Sequence, residues 1–342
     1  MIRPGVAAPN LGPLMGQEVL RERSGVVYRE MQARSLVNRC DSPRVPFEWT
    51  ANPYRGCSMG CRYCYAAYTH DYLGLKGQDT FHSAIYAKTG GLDETARRLA
   101  AAARRGERVA LGTATDPYQP GEATFQVTRR FLERAVQLRG LRLGITTKGA
   151  LILRDLDLLV RIHARSILSI QVSLTSPRPD LLRRLEPWAP PPDVRIEVLR
   201  RLCAAGLRAG LSLSPILPGL TDRESDLDEL IGTVKAAGVQ RMWCSLLFLR
   251  SPTREKFFDF LSSEFPQYLE AYRRAYAGRS YLTGRYKERV HAMVQRLREK
   301  NGLTHEAAAE GGAYARRPEQ LGLFAETPDA RGRATFGYRL LS

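Results

Sequence analysis

Residues 52–65 read NPYRGCSMGCRYCY, and their reading decides the fold and the chemistry. Three of the chain's six cysteines, Cys57, Cys61 and Cys64, fall here in a C-x3-C-x2-C pattern. Six cysteines are too few for a disulfide framework in 342 residues, so the cluster points to metal binding in a reducing compartment. Gly56 and Gly60 let the backbone fold tightly around a metal. Three thiolates can hold three irons of a [4Fe–4S] cube and leave the fourth open to a ligand that is not protein. The alternative is a structural zinc site, which needs a fourth ligand such as Cys40, His70 or His82 at irregular spacing. Tyr63, between the last two thiols, offers a ring to cover a cluster or stack on a nucleoside, or simply to pack.

Outward from this loop, short β-rich runs alternate with amphipathic segments. Strands are expected at 47–52, 80–88, 108–113, 141–147, 167–174, 208–215 and 240–248. Helices are expected near 93–105, 125–139, 155–163, 193–205 and 223–237, the last carrying Leu227, Leu230, Ile231 and Val234 at helical spacing. This alternation predicts an α/β fold with a parallel sheet, either open or curled into a full or partial barrel. In both, ligands bind at the C-terminal strand ends. Those ends carry Thr113, Thr115 and Asp116, then Thr147 and Lys148, then Ser173, and finally the apolar turn Pro215–Gly219. Asp116 offers a carboxylate for an ammonium or ribose hydroxyl, or an Asp-Pro turn and cap. Lys148 is suited to a carboxylate, or to plain exposure. Glu197, near Asp193 and Arg195, is expected to pair on the surface with Arg200 or Arg201.

The stretches NPYRGCSMGCRYCYAAYTH, GTATDPYQPGE, TTKGALILRD and SPILPGLTD together resemble the radical S-adenosylmethionine (SAM) superfamily, and within it the spore photoproduct lyase branch, over residues 46–250. The resemblance implies a partial (β/α)6 barrel, with 80–88 as an extra strand between the cysteine loop and the second barrel strand. It implies a [4Fe–4S] cluster on Cys57, Cys61 and Cys64, and SAM cleaved by an external electron to a 5′-deoxyadenosyl radical. Tyr63, Thr115, Asp116, Lys148 and Ser173 are then the implied SAM contacts. One departure stands out: the position matching the lyase's hydrogen-donating cysteine is Thr113, and a hydroxyl is a poor hydrogen-atom donor to a carbon radical. Cys244 and Cys203 are the distant thiols left, both read as buried hydrophobes, and Tyr65, Tyr68 and Tyr118 are alternative relays.

The chain carries 52 Lys+Arg against 35 Asp+Glu, a formal charge of +17, which calls for an anionic partner. Only seven of the basic residues are Lys; phosphate recognition and arginine-rich codon usage both explain the excess. No apolar run approaches the roughly 20 residues of a membrane span, and the first residues lack a signal-peptide pattern, so a cytoplasmic protein is expected. Residues 1–45 read as a flexible arm, 251–300 as a helical extension and 301–342 as a flexible tail. In the extension, Tyr272, Tyr276, Tyr281 and Tyr286 interleave with arginines, either to stack on nucleic acid or to pack inward. In the tail, Gln320–Phe324 (QLGLF) resembles the peptide by which repair proteins dock on the bacterial sliding clamp. Charge, core and tail favour an enzyme acting on DNA. Modification of RNA or a peptide is the second reading, and a nucleic-acid-binding iron–sulfur or zinc protein without turnover is the third.

Overall fold

The computed structural model describes residues 19–23, 25–42, 45–75, 78–305, 327–328 and 334–335. In chain order the strands are β1 (Val19–Arg23), β2 (Val26–Gln32), β3 (Val37–Arg39), β4 (Trp49–Ala51), β5 (Tyr54–Arg55), β6 (Ala84–Thr89), β7 (Arg108–Leu111), β8 (Arg142–Thr147), β9 (Ile167–Ser173), β10 (Ala209–Ile216), β11 (Arg241–Leu246) and β12 (Thr304–His305). Six of them, β4 and β7 through β11, lie side by side in parallel. β3 pairs antiparallel with β4 at one edge, β12 pairs parallel with β11 at the other, and the two edges do not meet. This is the partial barrel, open along one side.

Helices Leu92–Arg105, Val127–Ala135, Leu156–His163, Pro192–Ala204 and Glu224–Ala236 cover the outside of the sheet within a few residues of their expected bounds. In the last, Leu227, Leu230, Ile231 and Val234 are all buried, each worth roughly 1.5–3 kcal/mol. β9 is buried along most of its length, as a central strand covered on both faces must be.

Two expectations need correction. The extra strand expected at 80–88 is present outside the barrel but with other bounds: helix Gln78–Ser83 comes first, and the strand itself, β6, belongs to a second sheet of order β1-β2-β6-β5. The alternation of residues 80–88 does not reveal this, because β2, its parallel partner, lies more than fifty residues earlier. That same β2, together with β3, lies inside the stretch read as a flexible arm, whose residues 26–32 and 37–39 are therefore part of the folded sheets. The clamp-like peptide Gln320–Phe324 lies outside the described residues. Among the described residues no helix is long and apolar enough to cross a membrane.

Candidate active site

The cysteine loop leaves β5 and is fixed by its backbone. Gly56 has φ +79°, and a Cβ there would come within 2.9 Å of the carbonyls of Phe81 and Ala84. Gly60 has φ +70°, and its Cβ would meet the Trp188 ring at 2.7 Å. Both conformations and both approaches require glycine. Amide-to-carbonyl bonds from Cys57 to Phe81 (3.0 Å), Arg62 to Leu185 (2.9 Å) and Trp188 to Met59 (3.2 Å) staple the loop to two neighbouring segments. Thr115 Oγ1 and Gln119 Nε2 donate to the Gly56 carbonyl at 2.6 and 3.2 Å, and Thr253 Oγ1 donates to that of Cys64 at 2.7 Å.

Cys57, Cys61 and Cys64 are free thiols on the wall of one cavity of about 1600 Å³. Burial pushes all three thiols up, Cys61 to about 12. Backbone groups of Met59 on Cys57 and of Ala66 and Ala67 on Cys64 act in the opposite direction, favouring the thiolate. Among the described residues no three His, Cys, Asp or Glu side chains form a ready-made site for a single metal ion. Three thiols on one wall, two of them with backbone groups favouring the thiolate, and open volume before them fit a larger cationic cluster that uses three thiolates and faces a ligand across the cavity.

The strand-end residues surround this loop. Asp116 is a strap: Thr147 Oγ1 and the Tyr118 amide donate to its Oδ1 at 2.6 and 2.9 Å, and the Lys148 amide to its Oδ2 at 2.7 Å. Burial raises its pKa, against the pull of these donors. Three acceptor positions of the carboxylate are thus already taken. Thr115 is buried and holds Gly56, with Gln119 Nε2 donating to its hydroxyl at 3.0 Å. Ser173 ends β9, buried and on the cavity wall.

Below Cys61 lies a charged group that the sequence reading missed. Glu186 is buried; Tyr63 donates its hydroxyl to Glu186 Oε1, Lys148 Nζ lies 4.0 Å from the same oxygen, and Arg195 forms an ion pair with Oε2 at 2.5 Å. Burial works to raise the Glu186 pKa, but Arg195 and Lys148 outweigh it and hold it below the usual carboxylate range. Burial likewise works to lower that of Lys148, yet attraction to Cys61 in its thiolate form and to the Glu186 carboxylate carries it above the ordinary lysine value. Arg195 is 1% exposed and also donates to the carbonyls of Ser173 (3.0 Å) and Pro190 (2.6 Å), so it ties the end of β9 to this loop. Its spacing gave no signal, because a buried arginine and a surface one look alike on a helix. Glu197 does pair outward, with Arg200 and Arg201.

The radical-relay candidates separate in space. Tyr65 donates its hydroxyl to the Thr113 carbonyl, and Thr113 itself shares hydrogen bonds with Asn52. Cys244 lines the cavity from β11, whereas Cys203 lies on helix Pro192–Ala204. In the helical extension, Tyr272, Tyr276 and Tyr286 turn inward, donating to the Pro218 and Leu247 carbonyls and to Asp222; only Tyr281 faces the cavity. They form no stacking platform. The cavity itself is charged: eight Lys or Arg line it against two acidic residues, Asp41 and Asp116.

A family model for the radical SAM superfamily matches residues 51–231. An uncharacterised protein of Mycobacterium tuberculosis is 35% identical over 88% of this chain and 89% of its own length. Another from Methanocaldococcus jannaschii is 28% identical over 70% of this chain and 82% of its own. Among solved structures, spore photoproduct lyase complexed with a dinucleoside spore photoproduct superposes with a TM-score of 0.64 at 17% identity, covering 81% of each chain. A mutant of that lyase with bound S-adenosylmethionine and the same dinucleoside gives 0.62 at 17% identity and the same coverage.

Proposed function

The chain belongs to the radical SAM superfamily, and on that premise we propose that it is an enzyme of nucleic-acid chemistry, with DNA as its substrate. The superfamily's [4Fe–4S] cluster and SAM supply, when bound, a carbon radical able to abstract a hydrogen atom. In this reading Cys57, Cys61 and Cys64 hold the cluster. Lys148, poised over the Tyr63 ring at 5.8 Å, meets the SAM carboxylate, and Ser173 and Thr115 complete the wall. Asp116 shapes this pocket by fixing Thr147 and Lys148.

The observation that carries the choice of substrate is the basic lining of the cavity, eight cations to two acids, which matches a polyanion. The dinucleoside held by the lyase of the same fold supports it. Thr113 in place of a thiol argues for hydrogen return by a route other than that lyase's, and Tyr65, bonded to Thr113, and Cys244 both border the cavity. A binding protein without turnover is set aside by the family itself. The Gln320–Phe324 peptide, as a clamp-docking segment, would deliver such an enzyme to replicating DNA; deleting residues 318–342 should then abolish clamp binding and leave SAM cleavage intact.

The test is anaerobic reconstitution with iron and sulfide, reduction, and quantification of 5′-deoxyadenosine with and without irradiated DNA. Stimulation by DNA, with binding that weakens steeply as salt rises, is the expected result. Turnover that responds to RNA or to a peptide, and not to DNA, would overturn the substrate.

A further inference from the structure

Most buried or half-buried cations in this protein have an acceptor. Arg195 and Lys148 face Glu186, Arg154 faces Glu122 and Asp155, and Arg178 faces Asp226. Even the more exposed Lys235, Lys256 and Lys300 reach an oxygen. Arg55 and Lys88 differ: both line the cavity, Lys88 is only 9% exposed, and neither has a side-chain hydrogen bond or ion pair among the described residues.

Strand register brings them together. In the antiparallel pair of β5 and β6, Arg55 lies opposite Tyr86, so Lys88, two residues on, is its diagonal neighbour on the same face. Lys88 is anchored there by its amide, which donates to the Pro53 carbonyl at 3.0 Å. Tyr72 also lines the cavity and acts electrostatically on the Arg55 guanidinium. Burial, with the neighbouring guanidinium, pulls the Lys88 ammonium down to about 7. Two like charges side by side, Lys88 buried and Arg55 half-buried, cost stability unless a ligand supplies the counter-charge.

We propose that Arg55 and Lys88 form an anion-binding subsite in the cavity wall that takes a phosphoryl group. Its assignment to a nucleic-acid phosphodiester rests on the function proposed above; the anion site itself does not. The subsite sits on the second sheet, which also carries the strand leading into the cysteine loop, so a phosphate held there would register the substrate against the reacting centre.

The experiment uses reconstituted full-length protein and two probes: inorganic phosphate by calorimetry, and a short labelled oligothymidylate by anisotropy, with a methylphosphonate-linked version as its neutral control. Wild type should prefer the charged oligonucleotide, and Lys88→Met should weaken its binding about ten- to hundredfold and lower the salt slope by about one. Lys88→Arg should keep the affinity, as should Lys256→Met, which removes an exposed cation. Phosphate binding lost in Lys88→Met, with no oligonucleotide bound by any form, would uphold the subsite and sink the nucleic-acid reading. Wild type that binds neither probe, or Lys88→Met that binds both like wild type, overturns the subsite. Thermal midpoints separate a folding defect from a lost contact: Lys88→Met, relieved of an unpaired charge, should melt no lower than wild type.

Discussion

Two regions of the molecule treat buried charge in opposite ways. Under the cysteine loop, Glu186 is enclosed by Arg195, Lys148 and the Tyr63 hydroxyl, so the two buried cations share one acid within the protein. On the β5–β6 wall, Arg55 and Lys88 stand together with no acid among the described residues to meet them. The first arrangement fixes geometry, since Arg195 ties Glu186 to the end of β9 while Tyr63 and Lys148 hold the loop's flank. The second stores an unmet attraction. A compensated cluster tells of architecture, and an uncompensated one tells of a ligand.

The comparison breaks most completely at the thiols. Replacing Cys57, Cys61 or Cys64 by Ala should abolish both the brown cluster absorbance and 5′-deoxyadenosine formation, and retention of either in any one variant would contradict the ligand set. Next in size is Glu186→Gln, which leaves Arg195 and Lys148 buried without their acid; a loss of about 3–5 kcal/mol in unfolding free energy is expected from denaturant titration. A loss under 1 kcal/mol would mean that the pair is dispensable to the fold.

Lys88→Met should move the other way, raising the melting midpoint by a few degrees. Its dependence on pH follows from proton linkage. Folded Lys88 titrates near 7 against 10.5 in the unfolded chain, so the unfolded state holds the proton more tightly. The wild-type penalty is therefore complete below pH 7 and fades as pH rises toward 10.5. The advantage of Lys88→Met should shrink over that window, and an advantage constant with pH would mean that Lys88 is not the titrating group. The smallest effect is expected at Glu197→Ala, which removes an exposed pair with Arg200 and should leave the midpoint unchanged.

Much of this was legible in the chain. The C-x3-C-x2-C spacing with its two glycines marked the loop, because a cluster ligated by three thiolates leaves its pattern within eight consecutive residues. Strand–helix alternation marked the barrel, since apolar periodicity is local, and helix Glu224–Ala236 buries the face its spacing named. The tyrosines of the extension were ambiguous for the opposite reason: stacking and packing use the same ring at the same spacing, and only the acceptors at Pro218, Leu247 and Asp222 distinguish them.

Sequence by itself determined the family, the parallel barrel, the three cysteines and the excess of positive charge. The tertiary structure alone decided which charges meet. Glu186 reaches Tyr63 across 123 positions of chain, β6 finds β2 rather than the barrel, and Arg55 and Lys88 become neighbours only through strand register. Periodicity reports which face of an element is buried, but a counter-ion is a long-range partner. Its presence or absence is fixed only when the backbone has closed around it.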